Sequence, residues 1–170
     1  MKRIRCFFIW QDDKEEAWLR DLSKKGLRLD SVNFPFTYNF NEEPSKKHAY
    51  HLNAPKDPGM KPETFIKPFQ ESGWEHIGRM NGWQYFRKEY SGEVVPVLEG
   101  DNKTKADKYQ KLMMFLVGLL PFLLIIFPAF GKRFAPPLFD VLKIGYFIFL
   151  ALYTLTTFKV YQRVNQLRDI

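Results

Sequence analysis

Leu112-Met-Met-Phe-Leu-Val-Gly-Leu-Leu-Pro-Phe-Leu-Leu-Ile-Ile-Phe-Pro-Ala-Phe-Gly131 runs for twenty residues without a charged side chain. A bilayer's hydrocarbon core takes roughly 20 apolar helical residues to cross, and few soluble core helices are apolar on every side for so long. A second apolar run, residues 138–158, follows a six-residue connection. The expected architecture is a polar front end on a two-helix transmembrane hairpin. Its spans are 112–131 and 138–158, with 132–137 as a short external loop and 159–170 as a tail. Pro121 and Pro128 predict kinks whose freed backbone groups neighbouring groups must satisfy. Asp140 and Lys143 are read as lying near the headgroups, so that the core of the second span begins at Ile144 with help from 138–142.

The chain is basic, with a formal net charge of +7. Lys103, Lys105, Lys108 and Lys111 precede the first run, and Lys159, Arg163 and Arg168 follow the second. The connection carries only Lys132 and Arg133, with Lys143 just inside the second run. Positive charge accumulates on cytoplasmic flanks, so the pattern places both termini of a two-span cell-membrane protein in the cytoplasm. The single cysteine, Cys6, allows no intramolecular disulfide and no cysteine-based metal cluster, which suits a cytoplasmic domain. No signal peptide is expected. The basic start is followed by an apolar run that Gln11-Asp-Asp-Lys-Glu-Glu16 cuts short.

Residues 1–90 suffice for one small domain with its own core. Residues 91–111 read as a polar and basic connector, helical in its later part. Within the domain, 4–10 reads as a buried strand. A helix capped by Asp12 or Asp13 carries Trp18, Leu19 and Leu22 at helical spacing, and Gly26 stops it. Residues 27–34 and 36–40 alternate as strands. The order then restarts: a strand at 49–52, a loop at 56–59, and a short helix from Pro62 with Phe65, Ile66 and Phe69 as its stripe. Pro68 bends that helix and Gly73 ends it. Strands at 74–77 and 83–86 flank an Asn81-Gly82 turn. The halves align without a gap at an offset of 47, matching Trp18 with Phe65, Leu22 with Phe69, Gly26 with Gly73, Phe36 with Trp83 and Tyr38 with Tyr85. The expected fold class is α+β: a duplicated strand-helix-strand-strand domain, with an antiparallel sheet and two helices, ahead of the hairpin.

Several segments carry a resemblance. They are Phe7-Phe8-Ile9-Trp10, Glu16-Ala17-Trp18-Leu19, Lys25-Gly26-Leu27-Arg28-Leu29, Gly73-Trp74-Glu75-His76-Ile77-Gly78-Arg79 and Gly82-Trp83-Gln84-Tyr85-Phe86-Arg87-Lys88. Together they resemble a bacterial membrane family of unknown function often encoded beside PadR-type transcriptional regulators. The resemblance implies a cytoplasmic domain on membrane helices and assigns no catalytic residues. The duplicated element order is also similar to that of multidrug-binding domains of the gyrase-inhibitor type, which hold flat apolar ligands between two repeats. Order alone does not carry function.

The residues offer little for catalysis. Cys6 with His48, His51 or His76 would make a dyad, but cysteine in a buried strand behaves as a small apolar residue. His48 and His51, three apart in a strand, point to opposite faces and suit no shared metal. Glu15-Glu16 and Glu42-Glu43 read as solvated acidic pairs. Neither a metal nor any other cofactor is expected, nor an enzyme. Lys2, Arg3, Arg5, Lys24, Lys25, Arg28, Lys46 and Lys47 read as a solvated surface near anionic lipid, and no recognition-helix pattern supports direct nucleic-acid binding. The aromatic residues carry more. Trp10, Trp18, Phe36, Tyr38, Tyr50, Trp74, Trp83 and Tyr85 are many large rings for a small domain, and a groove between repeats would be lined by rings with polar tips.

These residues lead to an expected membrane-tethered, non-enzymatic sensor or adaptor. Its expected partners are the lipid bilayer, a PadR-like regulator and an apolar small molecule. Two alternatives stand beside it: a drug- or lipid-binding module without a protein partner, and an accessory subunit of a membrane transporter.

Overall fold

The computed structural model describes residues 1–44, 46–55, 59–96, 101–131 and 136–168. The loop expected around residue 57 and most of the connection expected at 132–137 lie outside them. The chain divides into two compact units, Met1–Asp101 and Asn102–Ile170.

The first unit is α+β and is built twice over. Its first repeat is β1 (Lys2–Ile4), α1 (Asp12–Lys24), β2 (Leu27–Asn33) and β3 (Thr37–Glu42). Its second is β4 (His48–Asn53), α2 (Pro62–Glu71), β5 (Glu75–Met80) and β6 (Trp83–Glu89). Each repeat makes its own three-stranded antiparallel sheet with its last strand in the centre, in the orders β1-β3-β2 and β4-β6-β5. The likeness reaches fine detail. Gly26 and Gly73 both end a helix at φ +80°, the left-handed conformation that glycine adopts without penalty. The register shift between Leu29 and Ser31 recurs 47 residues later between His76 and Gly78.

The two sheets meet along β2 and β5. Side chains of the second repeat satisfy the backbone of Leu29 at this seam. Its N–H donates to Tyr50 Oη at 3.1 Å, and its carbonyl accepts from Arg87 Nη1 at 2.6 Å. A Cβ at Gly78 would stand 3.4 Å from Val32 Cγ2, so the strands approach closely there. Helix α1 also crosses to the other repeat and covers the edge of β4. Glu16 Oε1 accepts from the Leu52 N–H at 2.9 Å, and Ser23 Oγ accepts from the His48 N–H at 3.0 Å. Covering an edge in this way removes a template for unwanted strand pairing.

Leu19, Leu22, Leu29, Val32, Tyr38 and Phe40 fill the core of the first repeat. In the second, Ala49, Trp74 and Phe86 are buried beneath Phe65, Ile66 and Phe69 of α2, with Phe69 and Phe86 stacked at 4.2 Å. Each fully buried large apolar side chain contributes about 1.5–3 kcal/mol.

Two expectations need correction. The strand expected over 4–10 ends at Ile4, and Cys6 is exposed. Beyond Ile4 only the Arg5 N–H continues the pairing, donating to Phe36 O at 3.1 Å, because the chain turns away so that Phe7 and Ile9 wall a cavity. The cap of α1 is Gln11, not Asp12 or Asp13, and it makes no side-chain cap bond. Its Oε1 instead accepts from the Phe8 N–H at 3.1 Å, while Asp12 lies inside the helix and is buried.

The second unit consists of α3 (Asp101–Gly131, 31 residues) and α4 (Pro136–Arg168, 33 residues). They run antiparallel and are joined by side chains. Tyr146 Oη donates to the Leu123 carbonyl at 2.7 Å, Tyr153 Oη donates to the Leu116 carbonyl, and Arg168 bonds Gln110. Both helices are long and apolar enough to cross a membrane, over Lys105–Ile126 at mean hydropathy 1.9 and Asp140–Arg168 at 1.6. Their outward faces expose Phe115, Phe122, Ile125, Phe147, Ile148 and Leu155.

Candidate functional site

A cavity of about 280 Å³ opens in the first unit, and its geometry follows from the duplication. Tyr38 on β3 and Tyr85 on β6 stand at matching places on the two central strands. Both hydroxyls donate to the same carboxylate oxygen, Glu15 Oε1 of α1, at 2.6 and 2.5 Å. Phe36 and Trp83, matched in the same way, line the cavity together with the two tyrosines and Glu15. The remaining wall is the irregular segment Cys6, Phe7, Phe8 and Ile9, with Asn81 from the β5–β6 turn.

Glu15 is the unusual member of the set. Only 5 % of it is exposed. Among the described residues no Lys, Arg or His pairs with it. Burial pushes its carboxyl pKa above the ordinary value, with Glu16 and Asp12 adding to the rise and the two tyrosine bonds opposing it. Tyr38 and Tyr85 are pushed well above the usual phenol range by burial and by the charge of Glu15, so both remain donors. An ionised carboxylate held by two neutral donors in an aromatic cavity lacks a compensating charge.

Of the eight aromatic residues singled out from the sequence, the structure brings Phe36, Tyr38, Trp83 and Tyr85 together around the cavity. Trp18 stands behind the wall, edge-on to Tyr38 at 5.0 Å and tilted against Phe7 at 5.6 Å. Trp10 stacks on Phe8 at 4.8 Å. Tyr50 lies at the seam beside Leu29, and Trp74 lies in the core under α2.

Glu15 and Glu16 are not the solvated pair expected. Both side chains are instead engaged, Glu15 by the tyrosines and Glu16 by β4. The available signal was helical spacing: Glu15 lies three, four and seven residues before Trp18, Leu19 and Leu22, on the apolar stripe. The wall at 6–9 gave no such signal, because an apolar run reads equally well as a strand. Two of the three histidines serve α1. His48 Nδ1 lies 3.1 Å from Ser23 Oγ, and His51 Nδ1 lies 3.6 Å from Glu16 Oε1. Burial and the Arg87 charge push the His48 pKa down.

The arrangement offers one buried negative charge, two hydroxyls and several ring faces. That equipment binds and orients an apolar molecule bearing a positive charge. No curated protein and no solved structure matches the chain. The model of one family, described as a protein of unknown function (DUF2812), matches residues 11–120, from α1 into α3. That match covers more than half of the 170 residues, and the chain belongs to the DUF2812 family.

Proposed function

We propose that this chain is a membrane-anchored, non-enzymatic receptor whose first unit binds a flat, apolar organic cation in the cavity between the two repeats. The observation that carries this reading is Glu15, a buried carboxylate without a cationic partner among the described residues, at a cavity lined by rings. A buried charge of this kind costs stability unless something compensates it, and such residues concentrate at functional sites. A bound ammonium or iminium group supplies the missing charge, and the rings of Phe36, Trp83, Tyr38 and Tyr85 supply stacking and cation–π attraction. The volume, about 280 Å³, is at the small end of ligand sites and suits a compact aromatic compound.

The fluorescence of Trp83, in the cavity wall, offers the test. The full-length chain in detergent is titrated with a quaternary aromatic cation and with its uncharged analogue of the same shape. The cation should bind at least about tenfold tighter, equivalent to about 1.4 kcal/mol. Glu15→Gln should abolish that preference without altering the far-ultraviolet circular dichroism. Equal affinity for the two compounds, or a flat response to both, would overturn the reading.

Membrane anchoring is supported by the length and apolarity of α3 and α4 and by their exposed outer rings. The cations flanking both helices support cytoplasmic termini. The chain should remain in carbonate-washed membrane pellets. Cys6 should react with an impermeant maleimide only after cells are permeabilised. Recovery in the soluble fraction contradicts the anchor, and labelling of intact cells contradicts the orientation. The PadR-like regulator implied by the resemblance would carry the output of ligand binding. Its recovery on the affinity-purified chain, changed by the ligand, is the corresponding test.

A further inference from the structure

The segment following β1 has two sides. One walls the cavity, and the other presents apolar side chains to solvent. Ile4 is 74 % exposed, Phe8 58 % and Phe34 78 %. Phe8 and Trp10 stack nearly parallel, at 3° and 4.8 Å, and so form one flat apolar face. Ile4 pairs with Thr37, three residues beyond Phe34, which brings the β2–β3 turn to the same end of the sheet. Lys2, Arg3 and Arg5 stand along this edge. Among the described residues none of the three forms an ion pair with a carboxylate. The Arg5 guanidinium instead lies over the rings of Phe7 and Trp18, at 4.9 and 5.1 Å.

Exposed rings beside uncompensated cations match what the headgroup layer of an anionic bilayer accepts: aromatic rings settle at the interface, and lysine and arginine are drawn to the negative surface. The same charges weigh against a peptide or a second copy. β1 is an edge strand, and three cations on an edge discourage another strand from pairing there.

We propose that residues 2–10, together with Phe34, dock the first unit onto an anionic lipid surface. The proposal rests on the membrane reading and is independent of whether the cavity takes a cation. Because Phe7, Phe8 and Ile9 also line the cavity, docking sets one cavity wall against the layer where amphipathic molecules concentrate.

Cys6, the single cysteine, is exposed within this segment and can carry an environment-sensitive fluorophore on the full-length chain. The labelled chain is placed in nanodiscs of phosphatidylcholine alone or with phosphatidylglycerol, each containing nitroxide-labelled lipid as quencher. Quenching should be at least about twofold stronger in the phosphatidylglycerol discs and should fall to the phosphatidylcholine level at about 0.5 M salt. Each of Lys2→Gln, Arg3→Gln and Arg5→Gln should lower the ratio of docked to free heads by about fivefold. Phe8→Ser with Phe34→Ser should weaken quenching in both kinds of disc. Equal quenching in the two kinds of disc, or quenching that follows the number of chains per disc, would overturn the proposal. A chain that does not co-elute with the discs would overturn the membrane reading as well, and that failure is visible before any quenching is measured.

Discussion

The two repeats share strand order, helix stops and bulge position, yet their central strands are buried differently. In β3, Tyr38 and Phe40 are buried while Asn39 between them is only partly covered. In β6, every residue from Trp83 to Arg87 is buried. The hairpins account for part of this. The β2–β3 connection runs through Phe34, Pro35 and Phe36, whereas Asn81 and Gly82 alone turn β5 into β6. Val32 pairs with Tyr38, but the residue matching Val32, Arg79, pairs with Gln84 and not with Tyr85. A slip of one residue exchanges the two faces of a strand. Phe86 therefore meets its own helix α2, and Tyr85 turns to Glu15 on the helix of the other repeat. The second repeat acquires a core on each face, and the first keeps a carboxylate in its apolar stripe. One copy specialises toward stability, and the other supplies the carboxylate of a site that both line.

The largest expected effect tests that division. Phe86 and Asn39 occupy matching positions 47 residues apart. Phe86→Ala should cost about 3–5 kcal/mol, because it empties the stack against Phe69. Asn39→Ala should cost within about 1 kcal/mol, losing one bond to Ser31. Denaturant unfolding of the full-length chain in detergent measures both, and equal costs would erase the asymmetry. Tyr50→Phe should cost about 1–3 kcal/mol, because it leaves the Leu29 N–H buried at the seam without its acceptor. A negligible change in the same unfolding experiment would mean that water reaches the seam.

The matched glycines give a finer comparison. Alanine at either position bears roughly 1–2 kcal/mol of left-handed strain. At Gly26 its Cβ would also stand 3.0 Å from the Glu43 carbonyl, while at Gly73 it would meet only the flexible end of Lys88 at 3.5 Å. Gly26→Ala should therefore lower Tm more than Gly73→Ala, and the reverse order would contradict the geometry.

The subtlest change should be Glu15→Gln, and its sign is opposite. The folded-state pKa of Glu15 is raised, so its contribution to stability is fully present below the unfolded value, near 4.5, and is lost as pH rises through the folded value. The variant should match the wild type near pH 4 and melt at a higher temperature at neutral pH and above. Lower stability than wild type at neutral pH would mean that the charge is compensated in the fold. Stability gained by removing a functional charge is a common trade.

Much of this fold was legible in the sequence. Helix stripes, glycine stops and the hairpin at Asn81 each depend on residues within a few positions of one another, and their recurrence at one offset exposed the duplication. The matched pairs Phe36 with Trp83 and Tyr38 with Tyr85 were visible for the same reason, and they line the cavity. Glu15 shows in the sequence only as a carboxylate on the stripe of α1; its tyrosine partners, 23 and 70 residues away, do not show. Phe7 and Ile9 line the cavity and not a strand, and an apolar run carries no mark that separates the two.

Proton exchange on binding tests Glu15 most directly. Calorimetric titration of a quaternary aromatic cation into the full-length chain, from pH 5 to pH 8 and in buffers of different ionisation enthalpy, reports both affinity and protons released. The account predicts affinity that rises with pH to a plateau, proton release at the acid end that vanishes at the plateau, and the loss of both in Glu15→Gln. Affinity independent of pH, with no proton released in either protein, would contradict it.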